Sequence, residues 1–286
     1  MCHKFSNRDD LRRERIYNNA MNASVSEDLV LVERRGAVLW LSMNRLGARN
    51  ALSTAMMAAL QKTIDAAAHD DSRTIVLAAE GSAFCSGHDL KEMTALRSEP
   101  DGGRAAFAAI FSQCSHLMQT IVRHPKPVIA QVQGIATAAG CQLVASCDLA
   151  VASEDARFAT PGVNIGLFCS TPMVALSRNV SRKHAMEMLL TGEMISAKDA
   201  ARLGLVNRVV APDVLVSETM ELAERIASKP RATVKVGKEA FYRQLEMPLS
   251  EAYDYASRVM TENMLHAESA EGICAFLEKR EPKWPK

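Results

Sequence analysis

PVIAQVQGIATAAGCQLVASCDLAVAS, residues 127–153, is the stretch that decides the fold. Its two ends, PVIAQVQ and CDLAVAS, are short apolar runs of the kind that suits parallel strands buried on both faces. Between them the small residues Ala136, Ala138, Ala139 and Gly140 lead into a helix. Strand, helix and strand in that order are a unit of an α/β fold. Upstream, TIVLAAE (74–80) repeats the buried-strand character, and LVLVER (29–34) and AVLWLSM (37–43) read as a hairpin turning at Arg35 and Gly36. Ser53 stands where an N-cap would, ahead of TAMMAALQKTIDAAAH, whose apolar positions recur at helical spacing and predict a helix ending near His69. KEMTAL and residues 104–124 supply further helices between strands.

After Val210 strand patterns stop. DVLVSETMELAERIAS, ATVKVGKEAFYRQLE, LSEAYDYASRVMTENML and a last turn carrying AFLEKR all read as helices. The division expected is an arm over 1–28, flexible or contacting an oligomer partner, an α/β core over 29–210, and a helical subdomain over 211–286. Helices with apolar faces at the end of a chain fold over their own core or a neighbour's, which favours a homo-oligomer.

Composition narrows the partners. The 286 residues carry 34 basic and 33 acidic side chains, a formal charge of +1. No large positive field is available for nucleic acid phosphates. No stretch approaches the roughly 18 consecutive apolar residues of a membrane span, since Gln131, Gln133, Gln142 and Asp148 interrupt the most apolar region. The seven cysteines are scattered, without CxxC pairs or zinc spacings, and read as buried thiols of a reducing compartment. Residues 1–28 mix acids with bases and lack the apolar core of a secretory signal; a transit peptide would avoid those acids. A cytoplasmic protein, without a metal, is the expectation.

Two backbone features carry chemistry. In GSAFCSGHDLKEM (81–93) a strand ends, Gly87 permits an unusual turn, and Asp89 can start a helix, which leaves the peptide N–H of His88 free. In QGIATAAGCQLVAS (133–146) small residues let a ligand approach the first N–H groups of a helix at its positive dipole end. Two such donors meeting at one point form an oxyanion hole, suited to a thioester oxygen as it becomes an enolate.

NRLGARNALS (44–53), AFCSGHDLKEM (83–93) and residues 133–167, in that order and spacing, resemble the enoyl-CoA hydratase/isomerase (crotonase) superfamily. TGEMISAKDAARLGLVNRVV and EGICAFLEKREPKW resemble its later segments, so the likeness spans residues 29–284. The resemblance implies a spiral of ββα turns with a helical C-terminal part, a homotrimer or dimer of trimers, and a hole made by the N–H groups of His88 and Ala139. It implies an acyl-CoA thioester as ligand, with no cofactor beyond the coenzyme A of the substrate. The coenzyme would run along Gly47, Ala48 and Arg49, past Asp89, Leu90 and Lys91, with Gly140 beside the hole. Phe276 and Lys279 would approach its adenosine end, from the same or an adjacent subunit. RNA binding, seen in one homologue, needs a row of lysines on the helix over 53–69, where only Lys62 occurs.

Departures from the family pattern bear on the reaction. The resemblance puts the two hydratase glutamates at Gln142 and Gly162. An amide takes no proton near neutral pH and glycine has no side chain, so neither position serves as general acid or base. Each loss costs ~10²- to 10⁴-fold. The isomerases' alternative aspartate falls at Ser170. Decarboxylation of a malonyl-type thioester needs the hole without a strong base, and decarboxylases of the superfamily carry a similar GHD. There the His88 imidazole would hold a carboxylate or supply a proton, although the tyrosine expected in that group is Cys169 here. As nucleophiles, Cys169, Ser170 and Thr171 would need an adjacent base, and only His88 is on offer. A hydratase-like lyase of fatty-acid metabolism, a decarboxylase and a non-catalytic acyl-CoA sensor all remain open.

Overall fold

Residues 28–284 are described by the computed structural model. Apart from Asp28, the segment expected to form an arm lies outside them. Strands β1 (Val30–Arg35) and β2 (Val38–Met43) pair antiparallel. Gly36 turns between them at φ +58°, a left-handed conformation that costs glycine little. Helix α1 (Thr54–Ala67) follows, its first turn capped by Ser53, whose Oγ accepts from the Met56 N–H at 3.2 Å. It stops two residues short of His69, the end its pattern predicts.

Each later turn of the chain sends one strand into each of two sheets. Strands β3 (Thr74–Ala79) and β4 (Ala83–Cys85) are followed by α2 (Leu90–Ala95) and α3 (Arg104–Arg123). Next come β5 (Val128–Val132) and β6 (Ile135–Thr137), leading into α4 (Ala139–Ser146). Then β7 (Leu149–Ser153) and β8 (Arg157–Ala159) precede a 3-10 turn, Pro161–Ile165, and helices α5 (Pro172–Asn179) and α6 (Arg182–Thr191). A last partial turn holds β9 (Ile195–Ser196), α7 (Ala197–Leu203) and β10 (Arg208–Val210). The first sheet runs β1-β2-β3-β5-β7-β10 and the second β4-β6-β8-β9. All pairs are parallel except β1 with β2 and β8 with β9. This is the crotonase-like spiral of ββα turns.

Burial explains why the long strands read as unbroken apolar runs. Along β2, Leu39, Leu41 and Met43 face a core shared with Leu60, Leu77, Phe84, Leu117 and Phe158. Val38 and Trp40 face the other way, onto a second cluster with Val76, Ile129 and Val151. That second face is covered by α8 (Leu215–Ala227) through Leu215, Leu222 and Ala223. Helices α9 (Arg231–Gln244), α10 (Leu249–Met264) and α11 (Ala267–Glu278) pack on one another instead. Among the described residues, α3 is the one helix long and apolar enough to cross a membrane by length and composition. Ile110, Cys114, Leu117, Met118 and Ile121 bury one of its faces, and α1 and α4 pack against it.

A buried histidine ties this core to the pH of the solution. The His124 Nε2 faces the Ile64 carbonyl at 3.2 Å, and its Nδ1 accepts from the Lys126 N–H at 3.1 Å. That pairing needs a neutral ring with its proton on Nε2. Burial, with Lys238 and Lys126 nearby, pushes the His124 pKa down to about 4. Between the ordinary value near 6.5 and that lower value, the unfolded chain binds a proton that the folded chain refuses. Stability therefore falls as pH drops from 6.5 towards 4, by on the order of 2–3 kcal/mol from this group. Urea midpoints measured across that range are expected to fall in the natural chain and to flatten in His124→Gln.

Candidate functional site

The contact from which the site grows is between the turn after β4 and the start of α4. Gly87, at φ +94°, lies so close to α4 that a Cβ there would stand 3.0 Å from the Ala138 Cβ and 3.5 Å from the Ala139 nitrogen. On its other side the Leu52 N–H donates to the Gly87 carbonyl at 2.8 Å, and the Asp89 N–H donates to the Leu52 carbonyl at 3.3 Å. A trans peptide points its C=O and N–H in opposite directions. The His88 N–H therefore points away from Leu52, to the side where β6 and α4 lie, and finds no backbone acceptor among the described residues.

Helix α4 presents the second donor by the same logic. The Ala138 carbonyl accepts from the Gln142 N–H at 3.0 Å along the helix, so the Ala139 N–H of that peptide points out of the helix start. It too has no backbone acceptor among the described residues. Ala138 adopts φ +50° and ψ −118°, a conformation costly for any residue with a Cβ. Its own N–H donates to the Ala159 carbonyl of β8 at 2.9 Å, which holds the strained peptide in place. Gly140 lets α4 sit against β4, since a Cβ there would lie 2.2 Å from the Cys85 carbonyl oxygen.

Gly47, Ala48 and Arg49 run beside this pair of donors. The Ser86 N–H donates to the Arg49 carbonyl at 3.1 Å and its Oγ to the Ala48 carbonyl at 3.4 Å. Sequence reasoning missed the residue that fixes this loop. Asn50, buried at φ +53°, accepts from the Arg45 N–H at 2.8 Å and donates to the carbonyls of Glu80 and Ala83 at 2.9 and 2.8 Å. Adjacent left-handed residues at 49 and 50 are the trace it leaves, and an asparagine tolerating αL was the available signal. Asp89 caps α2, accepting from the N–H groups of Lys91 and Glu92, and pairs with Arg45 at 2.7 Å. Those contacts hold its carboxyl below the usual range, Arg45 most of all. A groove of ≈ 480 Å³ opens here, lined by Arg45, Ser53, Thr54, Asp89, Lys91 and Glu92. Leu90 and Lys91 are exposed.

Proton-transfer groups are scarce around the donors. Gln142 is buried one turn into α4, its Oε1 3.9 Å from the Cys114 Sγ. Gly162 is crowded as well as bare, because a Cβ there would meet the Leu167 carbonyl oxygen at 2.5 Å and the Cys169 Sγ at 2.9 Å. Burial pushes the thiols of Cys85, Cys114 and Cys141 up to about 12 and raises that of Cys169, so all four stay protonated. The exposed Ser170 Oγ turns to the Phe168 carbonyl at 3.4 Å. Burial also lowers the His88 imidazole pKa, keeping the ring neutral near pH 7. Its edge-to-face neighbour is Phe111, at 5.6 Å between centroids; the Leu52 backbone and the Glu92 carboxylate oppose the effect of burial, but neither ring nitrogen has a partner in good hydrogen-bond geometry among the described residues. Phe276 and Lys279 are not brought to the donors by visible contacts. They end α11, which packs on α9 and α10, and Phe276 is 82% exposed. Among the described residues no cluster of potential metal ligands occurs.

The chain matches the family model for enoyl-CoA hydratase/isomerase over residues 33–286 and belongs to that family. It is 52% identical over 237 residues to the mouse protein named enoyl-CoA hydratase domain-containing protein 3, mitochondrial, covering 82% of this chain and 77% of the mouse one. The crystal structure of human enoyl-CoA hydratase domain-containing protein 3 superposes with a TM-score of 0.85 at 48% identity, covering 90% of this chain and all of that one. An enoyl-CoA hydratase structure from Mycobacterium smegmatis gives 0.86 at 55% identity, covering 90% and 99%. The cytoplasmic expectation is corrected by these relatives, since the mouse, rat and human proteins are all named mitochondrial. Scattered cysteines do not say which compartment holds the protein, and acids among residues 1–28 were too slight a ground to exclude import.

Crowding at Gly162 sets a measurable consequence. Gly162→Ala forces the Leu167 carbonyl aside and is expected to cost about 1–3 kcal/mol of stability. A thermal melt that is unchanged in this variant would show that the loop yields freely.

Proposed function

We propose that this chain binds acyl-CoA thioesters through the N–H groups of His88 and Ala139 and lacks the acid–base pair of an ordinary hydratase. The observation that carries the reading is the pair of outward amides pressed together at Gly87 and Ala138. No backbone group among the described residues accepts from them, and a polarised thioester oxygen suits two N–H donors beside a helix start. Coenzyme A would lie along Gly47, Ala48 and Arg49 and the groove at Asp89 and Lys91. Phe276 and Lys279 would reach its adenosine from an adjacent subunit. Exposed apolar side chains on the C-terminal helices, Leu249 at 76% and Leu277 at 72%, support a homotrimer or a dimer of trimers.

Gln142 and the crowded Gly162 argue against ordinary hydration. Each missing carboxylate removes ~10²- to 10⁴-fold in rate while leaving the amides in place. A fatty-acid metabolic role then rests on binding, or on a reaction that needs no strong base.

The orphaned ring nitrogens of His88 favour one such reaction, decarboxylation of a malonyl-type thioester. The bond from Cα to the carboxylate carbon breaks, its electron pair enters the enolate held by the amides, CO₂ leaves, and a proton from water replaces it at Cα. A neutral imidazole beside the hole can donate to the departing carboxylate.

Calorimetry with crotonyl-CoA, malonyl-CoA and methylmalonyl-CoA, paired with turnover assays, tests both readings. Binding of crotonyl-CoA with hydration at least ~10²-fold below carboxylate-bearing relatives is expected. Hydration at ordinary rates, undiminished in Gln142→Ala, would refute it. His88→Ala keeps the backbone donor, so it should retain affinity while losing any decarboxylation.

A further inference from the structure

Helices α9, α10 and α11 have an unusual relation to the rest of the subunit. Ala252 and Ala275 are their only buried residues among those described, and α9 has none. Within one subunit, apolar burial therefore does little to hold them. Polar contacts hold α9 and its flanks to the core: exposed ones from Arg231 to the Asp70 carbonyl at 3.4 Å and from Arg178 to Glu246 at 3.3 Å, and a buried one at Lys238. The Lys238 ammonium, on a side chain 8% exposed, donates to the Asp148 Oδ2 at 2.7 Å, the Ile121 carbonyl at 3.0 Å and the Lys126 carbonyl at 3.1 Å. An ammonium has three protons, and all three are used. One helical turn on, the Tyr242 hydroxyl donates to the Asp148 Oδ1 at 2.9 Å. Asp148 is fixed in turn by the Val128 N–H, which donates to its Oδ2 at 2.7 Å.

We infer that Lys238, Asp148 and Tyr242 form a latch, and that α9–α11 are a strap this latch closes onto the core and whose release leaves the spiral folded. The strap is cohesive in itself. Glu268 of α11 accepts from the N–H groups of Ala232 and Thr233 at the start of α9, at 3.2 and 3.0 Å. It joins the core through Ser228, Lys229 and Pro230, where the Arg73 side chain donates to the Lys229 carbonyl at 2.9 Å. A buried ammonium whose carboxylate is removed, or a buried carboxylate whose ammonium is removed, is left with an uncompensated charge, so the latch works as a unit. It also meets α3, whose Phe111 packs on the His88 ring, and the chain just past α4. Ile121 lies in the last turn of α3, and Asp148 follows the end of α4 by two residues. The inference is independent of what the chain binds.

Hydrogen exchange of the full chain, read by mass spectrometry, tests it. In Lys238→Met, peptides from α9, α10 and α11 should exchange at least ~100-fold faster, with β5, β7 and α4 unchanged. Tyr242→Phe removes one hydroxyl and should shift the same peptides in the same direction by roughly tenfold, which keeps the test decisive if Lys238→Met does not fold. Equal acceleration everywhere would make the cluster an ordinary part of one cooperative core and overturn the latch. No acceleration in the strap would overturn it as well.

Discussion

The structure depends on how closely the peptide between Gly87 and His88 approaches the first peptide of α4. Three glycines make the approach possible: a Cβ at Gly87 would press on Ala138, one at Gly140 would strike the Cys85 carbonyl, and one at Gly134 would lie 2.1 Å from the Ser82 carbonyl oxygen. The pairing of β4 with β6 in the second sheet brings those backbones together. The Leu52 hydrogen bonds orient one amide and the helix orients the other. Strain at Ala138 remains, and such strain persists where the surrounding structure over-determines it. Here the Ala159 carbonyl on one side and the helix on the other do so.

On the proposed function, the site around those amides polarises a carbonyl rather than moving protons. Losing one donor of such a pair costs about 2.7–4 kcal/mol in enzymes that use it, so two preorganised amides are a large asset. Gln142 keeps the position and approximate size of a carboxylate without its basicity. At residue 162 the backbone of the following loop has taken the space, with the Leu167 carbonyl and the Cys169 thiol where a side chain would begin. A glutamate restored there would have to displace main chain. The proposed loss of an acid–base pair would thus lie in the shape of the loop as well as in two side chains.

Much of this was legible in the sequence. Five strands of the six-stranded sheet were legible, β1 and β2 from the turn at Arg35 and Gly36 and β3, β5 and β7 from buried apolar runs, whereas the three-residue β10 was not; Ser53 and Asp89 announced their helices by residue type. The four-stranded sheet was not legible, because strands of two or three residues, such as Ile135–Thr137, are too short to display a period. The resemblance supplied the spiral that these short strands complete. The outward amides could be read from Gly87 and the small residues at 138–140, since conformational freedom and close approach are properties of single residues. Asn50 and the crowding of Gly162 depend on residues 30 or more positions away or on a loop's path, and residue type alone does not carry those. The pairing of Lys238 with Asp148, 90 positions apart, likewise carries no mark in residue type.

The carbonyl stretch of a bound acyl-CoA thioester, followed by infrared difference spectroscopy with a ¹³C-labelled carbonyl, measures the central claim at the bond it concerns. Two amides donating to that oxygen must weaken the C=O bond, so the band is predicted to move to lower frequency on binding, and to do so equally in His88→Ala, which keeps its backbone N–H. A band that stays at its solution frequency in a saturated complex would contradict the account.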